Sequence, residues 1–166
     1  MTEFLHGLAD VFGNSVIGEV LLTFFVSMVP VVELRMGLPL GVYMGLHPIV
    51  SFLVSAVGNV LPVPFIIIFI RRIFTWLRTK NAWLETFVSR MEKRAEKNSA
   101  MIEKYKLVGL YLFVAIPLPG TGAWTGALIA ALLEMRLKHA FPAIALGVLT
   151  AGVIVLIITY GVTALF

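Results

Sequence analysis

Residues 21–47 read LLTFFVSMVPVVELRMGLPLGVYMGLH, an apolar run interrupted near its middle. Pro30, Gly37, Pro39 and Gly41 break it around two charges, Glu33 and Arg35. Proline removes a helix hydrogen bond and glycine weakens the coil, so the run divides into arms. Each arm has about 10 to 13 residues, or about 15–20 Å of helix. That is half of the roughly 30 Å of hydrocarbon in a bilayer. The expectation is a re-entrant helical hairpin that enters and leaves a membrane on one face. The competing expectation is a proline-kinked span, one of four plain spans with both termini inside.

The rest of the chain supports a membrane setting. Of 166 residues, 60% are hydrophobic and 13% charged, with a mean hydropathy of +0.99. A soluble domain carries about 25% charge. No Asp, Glu, Lys or Arg occurs at 36–70, 107–133 or 139–166. A soluble fold of this size has no room to hide three such stretches, which makes the chain an integral membrane protein. The apolar runs are too continuous for an outer-membrane barrel. With no cysteine, a disulfide framework and a thiolate metal site are excluded. The net charge of +4 is no nucleic-acid signal, because the basic residues flank apolar segments. Residues 1–18 contain Glu3 and Asp10 but no Lys or Arg, and do not read as a signal peptide.

Four apolar blocks emerge, at about 20–46, 49–70, 107–133 and 140–165. The second and fourth are long enough to cross a bilayer. The third, LVGLYLFVAIPLPGTGAWTGALIAALLEM (107–135), breaks like the first, at Pro117, Pro119, Gly120 and Gly122. Residues 71–106 carry ten of the thirteen basic residues, so this linker is expected to be cytoplasmic. If the third block is re-entrant, Arg136 and Lys138 return to that side and only Arg35 stays within the membrane.

Broken block and long helix occur twice, which reads as an inverted-topology repeat, a build common among secondary transporters. The expected division is repeat 1 at about 19–75, linker at 76–106 and repeat 2 at 107–166. Pro30 matches Pro117 and Gly58 matches Gly147, at offsets of 87 and 89 residues. Gly37, Gly41 and Gly45 are matched with Gly122, Gly126 and Ala130. In the linker, Leu84, Phe87, Val88, Met91, Ile102 and Tyr105 recur at helical spacing opposite Arg90, Lys93, Arg94, Glu96 and Lys97. That face suits anionic headgroups, the protein itself or a second subunit. A short interfacial helix is expected in the first 18 residues.

Glu33 and Arg35 are the sharpest chemical signal. A charge at membrane depth is costly unless it is paired or faces water. Glu33 is a candidate proton carrier, and Arg35 a candidate anion holder through its planar fork. An internal salt bridge is the structural alternative. The run PLPGTGAWTG (117–126) is the second signal: Pro117, Pro119, Gly120 and Gly122 free backbone groups, while Thr121, Trp124 and Thr125 add donors. A half-helix starting near Gly122 aims its positive dipole end at the break, which suits an anion. Helix packing through glycine faces is the alternative. Pro30, Gly37 and Asn59 complete the candidate site residues, Asn59 facing either a cavity or a neighbouring helix. Glu134 is expected to pair with Arg136 or Lys138. His47 and His139 sit at block ends and do not suggest a metal. With no nucleophile–base set and no phosphate loop, no catalytic residue, cofactor or enzyme activity is expected.

VPVVELRMGLPLG (29–41) and IPLPGTGAWTGA (116–127) together resemble the small multidrug export protein family of bacteria and archaea. The resemblance spans about residues 20–160. The pattern is also distantly similar to DedA/VTT-type membrane proteins. That likeness implies two opposed re-entrant hairpins and proton-coupled translocation of lipid or small molecules, including polyprenyl phosphate. It also implies an acidic residue in the first hairpin, where Glu33 fits, and arginines around the second. Here the second hairpin has no arginine within it, Arg136 follows it and Arg35 is in the first.

The expectation is therefore an all-α, multi-pass protein of the inner (plasma) membrane that acts as a small transporter. Its site is expected at the midplane between the two hairpins, with proton-linked transport or lipid translocation as the function. Export of small cationic or lipophilic compounds, and a non-transporting scaffold, are the alternatives. Expected partners are membrane lipids, a small-molecule or lipid substrate, protons and a second copy in a homodimer, but no nucleic acid.

Overall fold

The computed structural model describes residues 15–30, 32–118 and 120–163, so the expected N-terminal interfacial helix lies outside it. Among the described residues the fold is all-helical. In chain order the helices are α1 (Val16–Met28), α2 (Glu33–Tyr43), α3 (Pro48–Val60), α4 (Val63–Arg78), α5 (Ala82–Ala115), α6 (Ala123–Leu132) and α7 (Leu137–Thr163).

Local chemistry sets the ends. Ser15 caps α1 by accepting from the Gly18 N–H at 3.1 Å. Pro48 opens α3, where its missing N–H costs nothing. Leu61 and Pro62 keep helical dihedrals, so α3 and α4 run on as one 31-residue helix, Pro48–Arg78. At about 1.5 Å per residue this exceeds the thickness of a hydrocarbon core. α7 supplies a second such stretch, Leu137–Tyr160. α5 is two helices meeting at Lys106, whose φ of 49° and ψ of −120° break the coil where the third apolar block begins.

The polarity of the long helix is inside out. Ile49, Leu53, Val57, Leu61, Phe65 and Phe69 recur every four residues and are all exposed. On the opposite line, Ser51, Ser55 and Asn59 are buried, followed by Val63, Ile66, Ile70 and Phe74. An exposed apolar stripe over a partly polar interior is unfavourable in water and favourable in lipid.

The chain divides into two compact units: Met1–Leu61 with Val148–Phe166, and Pro62–Gly147. In the first unit α1, α2 and α3 pack on one another. Both broken blocks fold back. A Cβ on Gly37 would fall on Ser27 Oγ, and one on Gly41 on Ser51 Oγ with Thr23 Oγ1 2.7 Å away. Residues 27 and 23 thus face 37 and 41 in descending order, which is the order of an antiparallel hairpin. In the second unit a Cβ on Gly126 would lie 2.7 Å from Val114 and 3.5 Å from Leu110. That is the same fold-back, between 107–115 and α6, with α4 packed against both α5 and α6.

The two hairpins share their details. In the first, Met44, Gly45 and Leu46 donate to Leu40, Val42 and Gly41. In the second, Leu133, Glu134 and Met135 donate to Ile129, Ala131 and Ala130, each 89 residues on. Gly45 and Glu134 both take positive φ there, 107° and 53°. This is the Schellman-type helix stop. Gly58 packs on Phe24 O and Ser27 Cβ, while Gly147 packs on Tyr111 O and Val114 Cβ. The first arms therefore match at an offset of 87 residues and everything after the break at 89. The first break is residues 29–32 and the second 116–122, and the change of offset from 87 to 89 amounts to two residues inserted in the second. Those two extra residues correct the zipper register expected above. Gly37 corresponds to Gly126, Gly41 to Ala130 and Gly45 to Glu134, rather than to Gly122, Gly126 and Ala130.

The linker is helical as its spacing predicts, and Val88 and Ile102 are fully buried. Tyr105, placed on the same stripe, is instead exposed, one residue before the kink at Lys106. Phe87 and Met91 lie outside the described side chains.

Candidate functional site

The buried polar side chains among the described residues are Thr23, Ser27, Glu33, Ser51, Ser55 and Asn59. All belong to the first unit. Their spacing explains this. Thr23 and Ser27 stand one turn apart on α1, and Ser51, Ser55 and Asn59 on successive turns of α3. Gly37 and Gly41 of α2 lack side chains at the heights of Ser27 and Thr23, so the three helices close around a polar seam. Ser51 donates to Leu38 O at 2.8 Å and Ser27 to Thr23 O at 2.7 Å. Thr23 Oγ1, Ser55 Oγ and Asn59 Oδ1 have no hydrogen-bond partner among the described residues. The antiparallel order puts Asn59 and Glu33 at the same end of the seam, beside the break.

Glu33 is 4% exposed and sits at φ 52°, a left-handed conformation that costs a residue with a Cβ about 1–2 kcal/mol. Its carboxylate and the half-buried Arg35 guanidinium act on each other electrostatically. Pro30 is exposed, in the turn between the arms.

The second unit holds the other candidates. Its break closes on its own chain. Thr121 Oγ1 lies 2.7 Å from Ile116 O and 2.8 Å from Leu118 O, and Leu118 N donates to Ile116 O. Thr121 therefore ties the turn that Pro117 and Gly120 (φ 91°) shape. Gly122 caps α6, which begins at Ala123, one residue from the expected start. Trp124 and Thr125 are half-buried on its first turn. Pro119 lies outside the described residues. Glu134 pairs with Arg71 at 2.8 Å rather than with Arg136 or Lys138. Among the described residues no cluster of three potential metal ligands occurs.

The sequence reading missed Thr23, Ser27, Ser51 and Ser55. The signal was present: hydroxyls at i, i+4 in two largely apolar helices flanking a helix with glycines at the same spacing.

Equivalent positions in the second hairpin and the helix after it are all apolar or glycine. Thr23 and Ser27 become Leu110 and Val114; Ser51, Ser55 and Asn59 become Ala140, Ile144 and Val148; Glu33 becomes Gly122. Every one of these is buried. One scaffold thus appears twice, once with a polar interior and once without.

Among the described residues two helices are long and apolar enough to cross a membrane, and the buried polar side chains lie in the first unit. The family described as "putative small multi-drug export protein" matches residues 33–154, and the chain belongs to that family. No curated protein and no solved structure matches it.

Proposed function

We propose that the protein is a membrane transporter in which the polar seam of α1–α3 carries protons or small cations, with Glu33 as the ion-binding group. The observation that supports this is the repeat. Leu110, Val114, Ala140, Ile144 and Val148 fill the same positions in the other half with apolar atoms. Packing alone therefore does not require the hydroxyls, the amide and the carboxylate. Thr23 Oγ1, Ser55 Oγ and Asn59 Oδ1 are buried without a hydrogen-bond partner among the described residues, which is costly, and polar groups at membrane depth mark ion paths. The seam offers one carboxylate, four hydroxyls and one amide, with the half-buried Arg35 guanidinium acting on the carboxylate, so that Glu33 is its one group able to take up a proton or hold a cation. Export of small cationic compounds in exchange for protons fits this chemistry and the family description.

Both hairpins are re-entrant in this reading. Their arms of about 10 to 13 residues reach half of the hydrocarbon. The two feet of the second hairpin meet, since Lys106, Leu107, Leu133 and Arg136 line one cleft. In this reading Arg136 shares the side of the basic linker, and the positive-inside rule supports taking that side as cytoplasmic.

The test is flux in liposomes holding a pH-sensitive dye, with and without a permanently charged lipophilic cation such as tetraphenylphosphonium. Wild type should move protons, Glu33→Gln should not, and Glu33→Asp should retain part of the rate. Unchanged flux in Glu33→Gln rejects the proposal. A scaffold reading keeps the Glu33–Arg35 interaction as its support, and wild-type liposomes with no flux of either species would favour it.

A further inference from the structure

We propose that the foot of the second hairpin is a binding site for an anionic glycerophospholipid, held at its phosphate. A cleft of about 370 Å³ opens there. Its apolar wall is Ile102, Leu107, Leu133 and Met135, and its polar rim is Lys106, Arg136, His139 and the single acid Glu103. An apolar wall under a basic rim fits an amphiphile with a negative head. Its volume is that of a small-molecule site, far larger than a free phosphate ion needs.

Three observations make the rim a site rather than scattered surface charge. Glu134, the acid nearest to Arg136 in sequence, is engaged by Arg71 at 2.8 Å. Arg136 makes no ion pair among the described residues, which leaves its fork for a phosphate. Lys106 is held on the rim by the kink, at φ 49°. Finally, the equivalent positions in the first half are Glu19 for Lys106, His47 for Arg136 and Val50 for His139. The scaffold therefore does not demand the basic residues. Basic clefts between helices on the cytoplasmic side of a membrane bind anionic headgroups, each Lys or Arg contributing about a fivefold gain in affinity. The site rests on the membrane placement of this foot, not on transport through the first half, so the two proposals fail separately.

The full chain in detergent is titrated with dihexanoyl-phosphatidylglycerol, dihexanoyl-phosphatidylcholine or inorganic phosphate, each lipid below its micelle-forming concentration, and thermal unfolding is followed. Phosphatidylglycerol should raise the midpoint; phosphatidylcholine and phosphate should not. Arg136→Gln with His139→Gln should weaken the half-saturating concentration at least fivefold, and Lys106→Gly, which also relieves the backbone, should weaken it about fivefold. Lys138→Gln removes a neighbouring charge outside the cleft and should behave as wild type. Equal effects of the two lipids overturn the site. So does an effect of phosphate matching that of phosphatidylglycerol, or a Lys138→Gln loss as large as that of the cleft variants. An unchanged titration in both Lys106→Gly and the double variant does the same.

Discussion

Glu33 holds in the first hairpin the place that Gly122 holds in the second. Both stand where the chain turns into the second arm, and both have positive φ, 52° and 149°. Glycine takes such a backbone without strain. The first half keeps a buried carboxylate there instead, and strain retained in this way gathers at functional sites.

Glu33→Gly should therefore be more stable than Glu33→Ala, by about 1–2 kcal/mol. Neither should support proton flux. Thermal unfolding of both variants in one detergent checks this. A Glu33→Ala protein as stable as Glu33→Gly would mean that the backbone is relaxed at this position.

The seam can be made to resemble its apolar twin. Thr23→Val and Ser55→Ala each remove a buried hydroxyl that has no partner among the described residues. Such changes are neutral or stabilising by about 1 kcal/mol when the group is not otherwise satisfied. The expected result is an equal or higher melting midpoint together with slower flux. Loss of stability with normal flux would assign the hydroxyls to packing.

Gly58→Ala tests the close approach of α3 to α1. A Cβ there would lie 2.5 Å from Phe24 O, a backbone atom with no rotamer to yield. The helices must separate, at a cost of about 1–3 kcal/mol. Gly45→Ala meets no atom within 4 Å, so its penalty comes from the positive φ alone. Denaturation curves of the two variants separate crowding from backbone strain.

Glu33→Gln, Arg35→Gln and the double variant form a cycle. If the pair is structural, each single change should cost more than the double, because one buried charge is left without its partner. If Glu33 is an ion site, flux is lost in both variants that lack the carboxylate, whatever their stability.

Arg71→Ala should have little effect. The Arg71 and Glu134 side chains are 54% and 72% exposed, and surface pairs contribute about 0–1 kcal/mol. The melting midpoint should move by a degree or two, and less at high salt.

Much of this protein was legible in its sequence because the signals are local. Hydropathy states which helices are long enough to cross a membrane, and Pro30 and Pro117 mark the two breaks. Gly37, Pro39 and Gly41, expected to break the first block, instead lie inside α2, and Pro62 and Pro142 also lie within helices. The break at Lys106 falls where the charged linker meets the apolar block. The offset of 87 residues between Pro30 and Pro117 also carried the repeat up to the break. Other features depend on how helices face one another, which no local pattern states. A proline-broken run is compatible with a kinked span or a hairpin, and only the contacts of Gly37 with Ser27 and of Gly126 with Val114 decide for fold-back. Two residues added in the second break move every later match from 87 to 89; the sequence carried this at Gly58 and Gly147, but the register of Gly37, Gly41 and Gly45 follows only from the hydrogen bonds of the turns at Gly45 and Glu134. A serine in an apolar helix looks the same whether it faces lipid or core. Crossing geometry turned Thr23, Ser27, Ser51 and Ser55 inward, because bare glycines on α2 let the three backbones approach closely enough to bury them.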